Sequence, residues 1–119
     1  MVKFQKLDIV EDHFMICRLL AAYGELLTER SRELAKLYFV EDLSITEIAE
    51  YLQISRQAVH YNLKRTVEQL TKYERKLDII SRSDKVSEMI DELRDLLLKD
   101  ESSEAAKKLA DIEAEYKVL

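Results

Sequence analysis

The 119-residue sequence predicts an all-α fold from its turn-forming residues, its apolar spacing and its balance of side chains. It contains one glycine and no proline, the residues on which tight hairpins, phosphate-binding loops and strand-rich folds depend. Apolar residues recur three and four positions apart, which is the period of one helix face. With 47% hydrophobic and 36% charged residues, the chain can bury one modest core. We therefore expect helices joined by short polar turns.

The composition also argues against several classes of protein. A net charge of −5 disfavours non-specific coating of nucleic acid or acidic membranes, and a single cysteine precludes an internal disulfide. The longest apolar run covers only residues 19–23, whereas a membrane span needs roughly 20 residues. Residues 1–12 lack the apolar stretch of a signal peptide. These observations predict a cytoplasmic protein that does not cross a membrane.

The charge is distributed unevenly along the chain. Residues 1–53 carry 6 basic and 10 acidic side chains, residues 54–76 carry 6 and 2, and residues 77–119 carry 7 and 12. The fields of exposed charges fade over about 8 Å at physiological salt. A partner that binds at residues 54–76 would therefore experience a local positive charge rather than the net negative charge of the whole chain.

Two helices are predicted before residue 41. The stripe of the first begins near Leu7, and Gly24 is expected to end it in a left-handed conformation. Its apolar residues are Val10, Phe14, Cys17, Leu20 and Ala21. Thr28 is placed to cap the second helix, whose buried residues are predicted to be Leu34, Leu37 and Tyr38 and whose end lies near Val40.

The next segment has the strongest local helix signal in the chain. Ser44 and Glu47 have the spacing of a capping box, and Leu43 and Ile48 have that of a hydrophobic staple. This third helix is expected to end at Gln53-Ile54, where Ser55 can cap a fourth.

The fourth helix is predicted to be long. Its stripe extends about 25 residues, or roughly 38 Å, so part of it should project and need another surface to cover it. The predicted stripe consists of Val59, Leu63, Val67 or Thr66, Leu70, Tyr73, Leu77 and Ile80.

The remaining residues predict a helical arm. Breaks are expected at residues 81–84 and 100–103, and we expect a helix-turn-helix domain over residues 1–80 and an arm suited to dimerisation over 81–119. The inward residues of the arm are predicted to be Val86, Met89, Ile90, Leu93, Leu96 and Leu97, followed by Ala105, Leu109, Ile112 and Tyr116.

A short helix, a tight turn at Gln53-Ile54 and a longer basic helix match the helix-turn-helix motif, whose second helix enters the DNA major groove. With Ala58, Val59 and Leu63 inward, a polar and basic face remains outside. Arginine and glutamine near the helix start can pair with guanine and adenine edges, and later cations suit phosphates. The predicted contacts are Ser55, Arg56, Gln57, His60, Tyr61, Lys64 and Arg65. The same face could instead be merely solvated, or could dock a protein.

Several segments carry a resemblance to a known family: Leu26-Leu27-Thr28, Tyr38-Phe39, LSITEIAE over residues 43–50 and ISRQAVHYNLKRT over 54–66. On these the chain resembles the YlxM family of small bacterial proteins over about residues 10 to 80, with little match beyond. It is similar, more distantly, to region 4 of sigma-70-type sigma factors. The resemblance implies a sigma-70 region 4-like helix-turn-helix bundle with a long fourth helix and a C-terminal helical extension. It also implies an accessory role beside the signal recognition particle GTPase.

Catalytic and metal sites are not indicated. His13 and Cys17 are four residues apart on one helix, but two ligands do not make a site, and Cys17 is expected to be a buried structural thiol. His60 lacks a carboxylate partner one turn away. With no phosphate loop, nucleophile elbow or acid pair, we expect neither an enzyme nor a bound cofactor.

Two functions remain open at this point. The first is a homodimeric regulatory protein that binds DNA through the basic face. The second is a modulator that docks on the signal recognition particle GTPase or its RNA without reading a DNA sequence. A detached sigma region 4 that binds polymerase is weaker, because no other sigma region is present.

Overall fold

The computed structural model describes residues 12–99 and 102–117, which form six α-helices and no β-strand. The helices are α1 (His13–Tyr23), α2 (Glu29–Ala35), α3 (Ile45–Leu52), α4 (Arg56–Leu77), α5 (Ile79–Leu98) and α6 (Ser102–Lys117). A 3-10 turn over Gly24–Leu26 follows α1, and a π-helical turn over Lys36–Val40 extends α2. None of the described helices is both long and apolar enough to cross a bilayer.

The described residues form two compact units, which divide between Asp78 and Ile79. In the first unit α4 is the central helix, and α1, α2 and α3 all pack against it. Its buried residues are Val59, Leu63, Thr66, Val67 and Leu70. Four of these five residues are the ones predicted: Val59, Leu63, Val67 and Leu70. Thr66, which the sequence offered as the alternative to Val67, is buried together with it.

Helix α1 buries a different stripe from the predicted one. Asp12 caps it by accepting a hydrogen bond from the Met15 backbone N–H at 3.1 Å. The buried residues are Ile16, Leu19, Leu20 and Tyr23, whereas Phe14 is 74% exposed and Ala21 is also exposed. The helix is apolar on several sides, so spacing alone did not select the buried face. The predicted stripe residues Leu7 and Val10 lie outside the described residues.

The prediction that Gly24 ends α1 in a left-handed conformation is wrong. Its φ of −56° is right-handed, and the chain passes directly into the 3-10 turn. Among the described residues, positive φ occurs instead at Asp42, Gln53 and Asp78, which follow α2 with its π turn, α3 and α4. Polar residues tolerate this conformation by local hydrogen bonding, so glycine is not required.

The predicted caps of α2 and α3 are confirmed. Thr28 accepts a hydrogen bond from the Ser31 N–H at 3.2 Å. The Ser44 hydroxyl accepts from the Glu47 N–H at 3.0 Å, and the Glu47 carboxylate accepts from the Ser44 N–H at 2.8 Å. This reciprocal pair satisfies two backbone donors that would otherwise lack partners at the start of α3.

Helix α4 ends earlier than predicted. Asp78 adopts φ 58° and its N–H donates to the Glu74 carbonyl at 2.8 Å, which closes the helix after Leu77. Ile80 therefore belongs to α5, and the break predicted at residues 81–84 is wrong because α5 passes through them. Serine and aspartate cost an exposed helix position only about 0.7 kcal/mol at most, so they do not force a break.

The second unit is a hairpin of two antiparallel helices. Lys85 pairs with Glu115 at 3.1 Å, and Glu92 pairs with Lys108 at 2.7 Å, so residues early in α5 lie beside residues late in α6. The hydrogen bond from Lys108 to Glu92 raises the pKa of Lys108 above its ordinary 10.5. Because its folded-state pKa is raised, the Lys108 ammonium contributes stability at neutral pH and loses that contribution as the pH rises through the folded-state value.

Part of the predicted arm stripe is used within the hairpin. Ala105 is buried, and Val86, Met89, Leu93, Leu96 and Ile112 are half-buried. The inward placement of four other residues is wrong in the single chain: Ile90, Leu97, Leu109 and Tyr116 are exposed.

Candidate nucleic-acid interface

The turn between α3 and α4 is fixed by backbone hydrogen bonds. Gln53 adopts a left-handed conformation with φ 59°, and the Ile54 N–H donates to the Ala49 carbonyl at 3.0 Å. The Gln53 side chain reinforces the turn by donating to the Glu50 carbonyl at 3.0 Å. This left-handed termination satisfies carbonyl groups at the end of α3 and redirects the chain within three residues.

The start of α4 is capped in the way the sequence predicts. The Ser55 hydroxyl accepts a hydrogen bond from the Ala58 N–H at 3.0 Å. Behind the cap, Val59 and Leu63 are fully buried, as is Ile48 of α3, against which α4 packs. The buried side chains hold the helix in place, and its opposite face remains accessible.

Ala58 is exposed, so its predicted inward placement is wrong. Successive residues of an α-helix are rotated by about 100°, and the buried stripe is centred between Val59 and Leu63. Ala58 lies about 120° from the centre of that stripe. The solvent-facing surface of the first turn of α4 is thus wider than the sequence predicts.

The predicted contact residues do not all lie on one line. Ser55, Arg56, Gln57, Tyr61 and Arg65 are exposed, while His60 and Lys64 are half-buried. At about 100° per residue, Tyr61 and Arg65 point directly away from the buried stripe, and His60 and Lys64 lie along its edge. The candidate interface therefore has Tyr61 and Arg65 at its exposed centre, with the half-buried His60 and Lys64 along one side.

The positive charges of this face remain exposed or partly exposed in the described part of the chain. Among the described residues, Arg56, Lys64 and Arg65 take part in no ion pair. The Arg65 guanidinium lies 5.7 Å from the centre of the Tyr61 ring, a cation–π distance. Both groups remain exposed, so together they offer a flat aromatic surface and a positive charge to a ligand.

Sequence reasoning missed one position on α3. An open groove of about 590 Å³ beside the turn is lined by Thr46 together with Gln53, Ser55 and Arg56. Thr46 is an exposed polar residue on the helix that precedes the turn, and that position was the available signal. It extends the candidate interface from one helix to both helices of the motif.

His13 and Cys17 have packing roles. The His13 ring lies 5.4 Å from Tyr38 and 5.0 Å from Phe39, with an edge-on arrangement to the latter. The Cys17 thiol, half-buried rather than buried, donates to the Phe39 carbonyl at 3.4 Å. In the described part of the chain, no three His, Cys, Asp or Glu side chains cluster as metal ligands.

Comparison with known proteins decides the family. Residues 10–111 match the model of the UPF0122 family, described as "Putative helix-turn-helix protein, YlxM / p13 like". The chain belongs to this family. The match extends far beyond residue 80, so the expectation that the arm shares little with relatives is wrong: α5 and most of α6 are part of what the family model covers.

Individual UPF0122 proteins match this chain over two thirds of its length or more. One from Desulforamulus reducens is 42% identical over 105 residues, which cover 88% of this chain and 82% of the relative. One from Symbiobacterium thermophilum is 38% identical over 106 residues, which cover 89% and 99% respectively. A UPF0122 protein of Halalkalibacterium halodurans is 43% identical over 82 residues, covering 69% and 75%.

Proposed function

We propose that this protein is a regulatory DNA-binding protein of the helix-turn-helix class, with a binding rather than a catalytic role in the cytoplasm. The observation that carries the proposal is the exposed start of α4. Arg56 and Gln57 occupy its first two positions, directly after the Ser55 cap, and both are open to solvent. That is where side chains of a recognition helix reach base edges in the major groove.

Each part of the face has a suited role. Arg56 can bind the two acceptors of a guanine edge, and Gln57 can pair with adenine, each with about 1–3 kcal/mol of discrimination against a wrong base. Lys64 and Arg65 lie two turns further along, where phosphates are the expected ligands. Because one helix in one groove gives limited affinity, we propose that two copies bind paired half-sites.

The test is a mobility shift on duplexes selected from a random-sequence pool. The wild-type protein is expected to enrich a defined sequence and to bind it with an affinity that falls as salt rises. The double variant Arg56→Ala, Lys64→Ala should lose the shift. Loss of Arg56 relaxes sequence choice, and loss of Lys64 reduces the salt slope by about one.

A matched control removes two cations elsewhere. Lys36→Ala with Lys99→Ala changes the net charge equally, and both side chains are exposed and distant in sequence from α4. This control should bind as the wild type does. If the Arg56, Lys64 variant binds unchanged, or if no duplex is enriched, DNA recognition by this face is wrong.

A second candidate function is favoured by the exposed Tyr61 ring under Arg65. A recognition helix cannot read the deep, narrow major groove of RNA, but an exposed tyrosine can stack on an unpaired base while cations bind phosphates. In that case the protein would be a modulator that docks on the signal recognition particle GTPase or its RNA. Capture of the GTPase by the immobilised protein, with and without that RNA, separates the two; no capture under either condition removes this alternative.

A further inference from the structure

The α5–α6 hairpin leaves an apolar surface open along one edge. Four side chains form it, which we call the hairpin edge: Ile90, Leu97, Leu109 and Tyr116 are 42%, 59%, 49% and 69% exposed. In each helix the two members are seven residues apart, so they lie two turns apart on the same side.

The edge and the ion pairs lie on opposite sides of the hairpin. We take Met89 as the α5 residue that faces α6 and count about 100° of rotation for each residue along the helix. By this count Lys85 and Glu92 lie on one side of Met89. Ile90 and Leu97 lie on the other side. The same count from Ile112 separates Lys108 and Glu115 from Leu109 and Tyr116. Because the helices are antiparallel, both apolar pairs fall on the same side of the hairpin. One side is therefore closed by salt bridges, and the other is an open apolar groove.

We infer that the hairpin edge binds the hairpin edge of a second copy of this chain, forming a four-helix bundle from two hairpins. This inference rests on the proposed function, because the expectation that two copies act together comes from DNA binding to paired half-sites. Two helices with one shared apolar side are half of such a bundle, and a two-fold axis along the bundle keeps every neighbouring helix antiparallel.

The exposed area fits a two-copy interface. The four side chains present on the order of 450 Å² per copy, within the range in which an exposed patch marks an interaction site. Since about 65% of a homodimer interface is apolar, a patch of this size corresponds to an interface of about 700 Å² per partner, which is within the range around the roughly 800 Å² of a standard interface.

The charge distribution permits two acidic hairpins to approach. Glu88 and Asp95 of α5, and Glu104 and Asp111 of α6, are all exposed. Their helical positions lie about 130–170° from the hairpin edge, so they face outward on both copies. Arg94 and Glu113 are exposed charges that lie closer, about 50° from the edge, and they have opposite signs. Like charges directly across an interface would oppose binding, whereas here the apolar residues meet and one cation and one anion of each copy border them.

The test measures the molar mass of the full-length protein by size exclusion with light scattering, without nucleic acid. The expected mass is twice the 14.0 kDa of the chain. The variant Leu97→Glu, Leu109→Glu should halve that mass, because it places carboxylates where two edges meet. Both side chains are about half exposed or more, so far-UV circular dichroism should show an unchanged helix content.

The matched control places the same charges on the same helices, off the edge. Leu98→Glu with Ala114→Glu changes two exposed residues that lie about 90° and 150° from the hairpin edge, and the doubled mass should persist. A wild-type mass of 14.0 kDa over a wide concentration range would overturn the inference, as would a doubled mass in the Leu97, Leu109 variant. DNA binding is measured separately, so a monomer that still shifts DNA would refute the bundle and the pairing of two copies, and would leave DNA recognition by α4 standing.

Discussion

At the scale of single residues, the left-handed Gln53 shapes the candidate interface. Its backbone conformation, φ 59°, ends α3 and sets where α4 begins. An L-residue in this region costs about 1–2 kcal/mol, and we expect the hydrogen bond from the Gln53 amide to the Glu50 carbonyl to offset part of that cost. We therefore expect the turn to have the geometry of the motif at some cost in the free energy of unfolding.

Replacing Gln53 with glycine should stabilise the protein. Glycine has no Cβ to oppose a left-handed backbone, so Gln53→Gly is expected to raise the free energy of unfolding by about 0.5–1 kcal/mol, measured by urea denaturation. The control is Gln57→Gly, the same exchange at an exposed position inside α4, which should destabilise by a similar amount. Destabilisation by Gln53→Gly would show that the amide hydrogen bond outweighs the backbone strain.

At the scale of elements, α3 depends on its capping box. The helix has only eight residues, so its few terminal hydrogen bonds carry a large share of its local stability. The Ser44 and Glu47 pair satisfies donors at its start, and the left-handed turn satisfies acceptors at its end. The hydrogen bonds at both ends of α3 therefore help to hold this short helix in place against α4.

Removing the cap should destabilise the protein without altering the basic face. Ser44→Ala deletes the acceptor of the Glu47 N–H and is expected to lower the free energy of unfolding by about 1 kcal/mol. Ser87→Ala, an exposed serine inside α5, serves as the control and should be neutral or slightly stabilising because alanine favours helices. Equal effects of the two substitutions in thermal unfolding would mean that the capping box contributes nothing.

At the scale of the whole molecule, the two compact units have separate sources of stability. The first unit has a core built around α4, whereas the hairpin relies on its own seam and its cross-helix ion pairs. The basic segment, residues 54–76, lies in the first unit and nearly balances the acidic residues 1–53, so that residues 1–78 carry 12 basic and 13 acidic side chains. Residues 79–119 carry 7 basic and 11 acidic side chains, so the second unit is the more acidic of the two.

Damage to the core of the first unit should leave the hairpin intact. Leu63 is fully buried, so Leu63→Ala is expected to cost about 2–5 kcal/mol, with hydrogen-exchange protection in α1 to α4 reduced accordingly. Exchange in α5 and α6 should be unchanged, as read by mass spectrometry of peptides from each unit. A uniform loss of protection across both units would instead show that they unfold as one.

The sequence by itself determined the all-α class, the caps at Thr28, Ser44 and Ser55, and most of the buried stripe of α4. These features depend on residues three or four apart, so their chemistry is complete within one or two turns. Only the tertiary structure decided which side of the apolar α1 is buried, that Asp78 ends α4, that Ala58 is exposed, and which arm residues remain open. Burial depends on which neighbour covers a face, and a local pattern with more than one apolar side does not specify that neighbour.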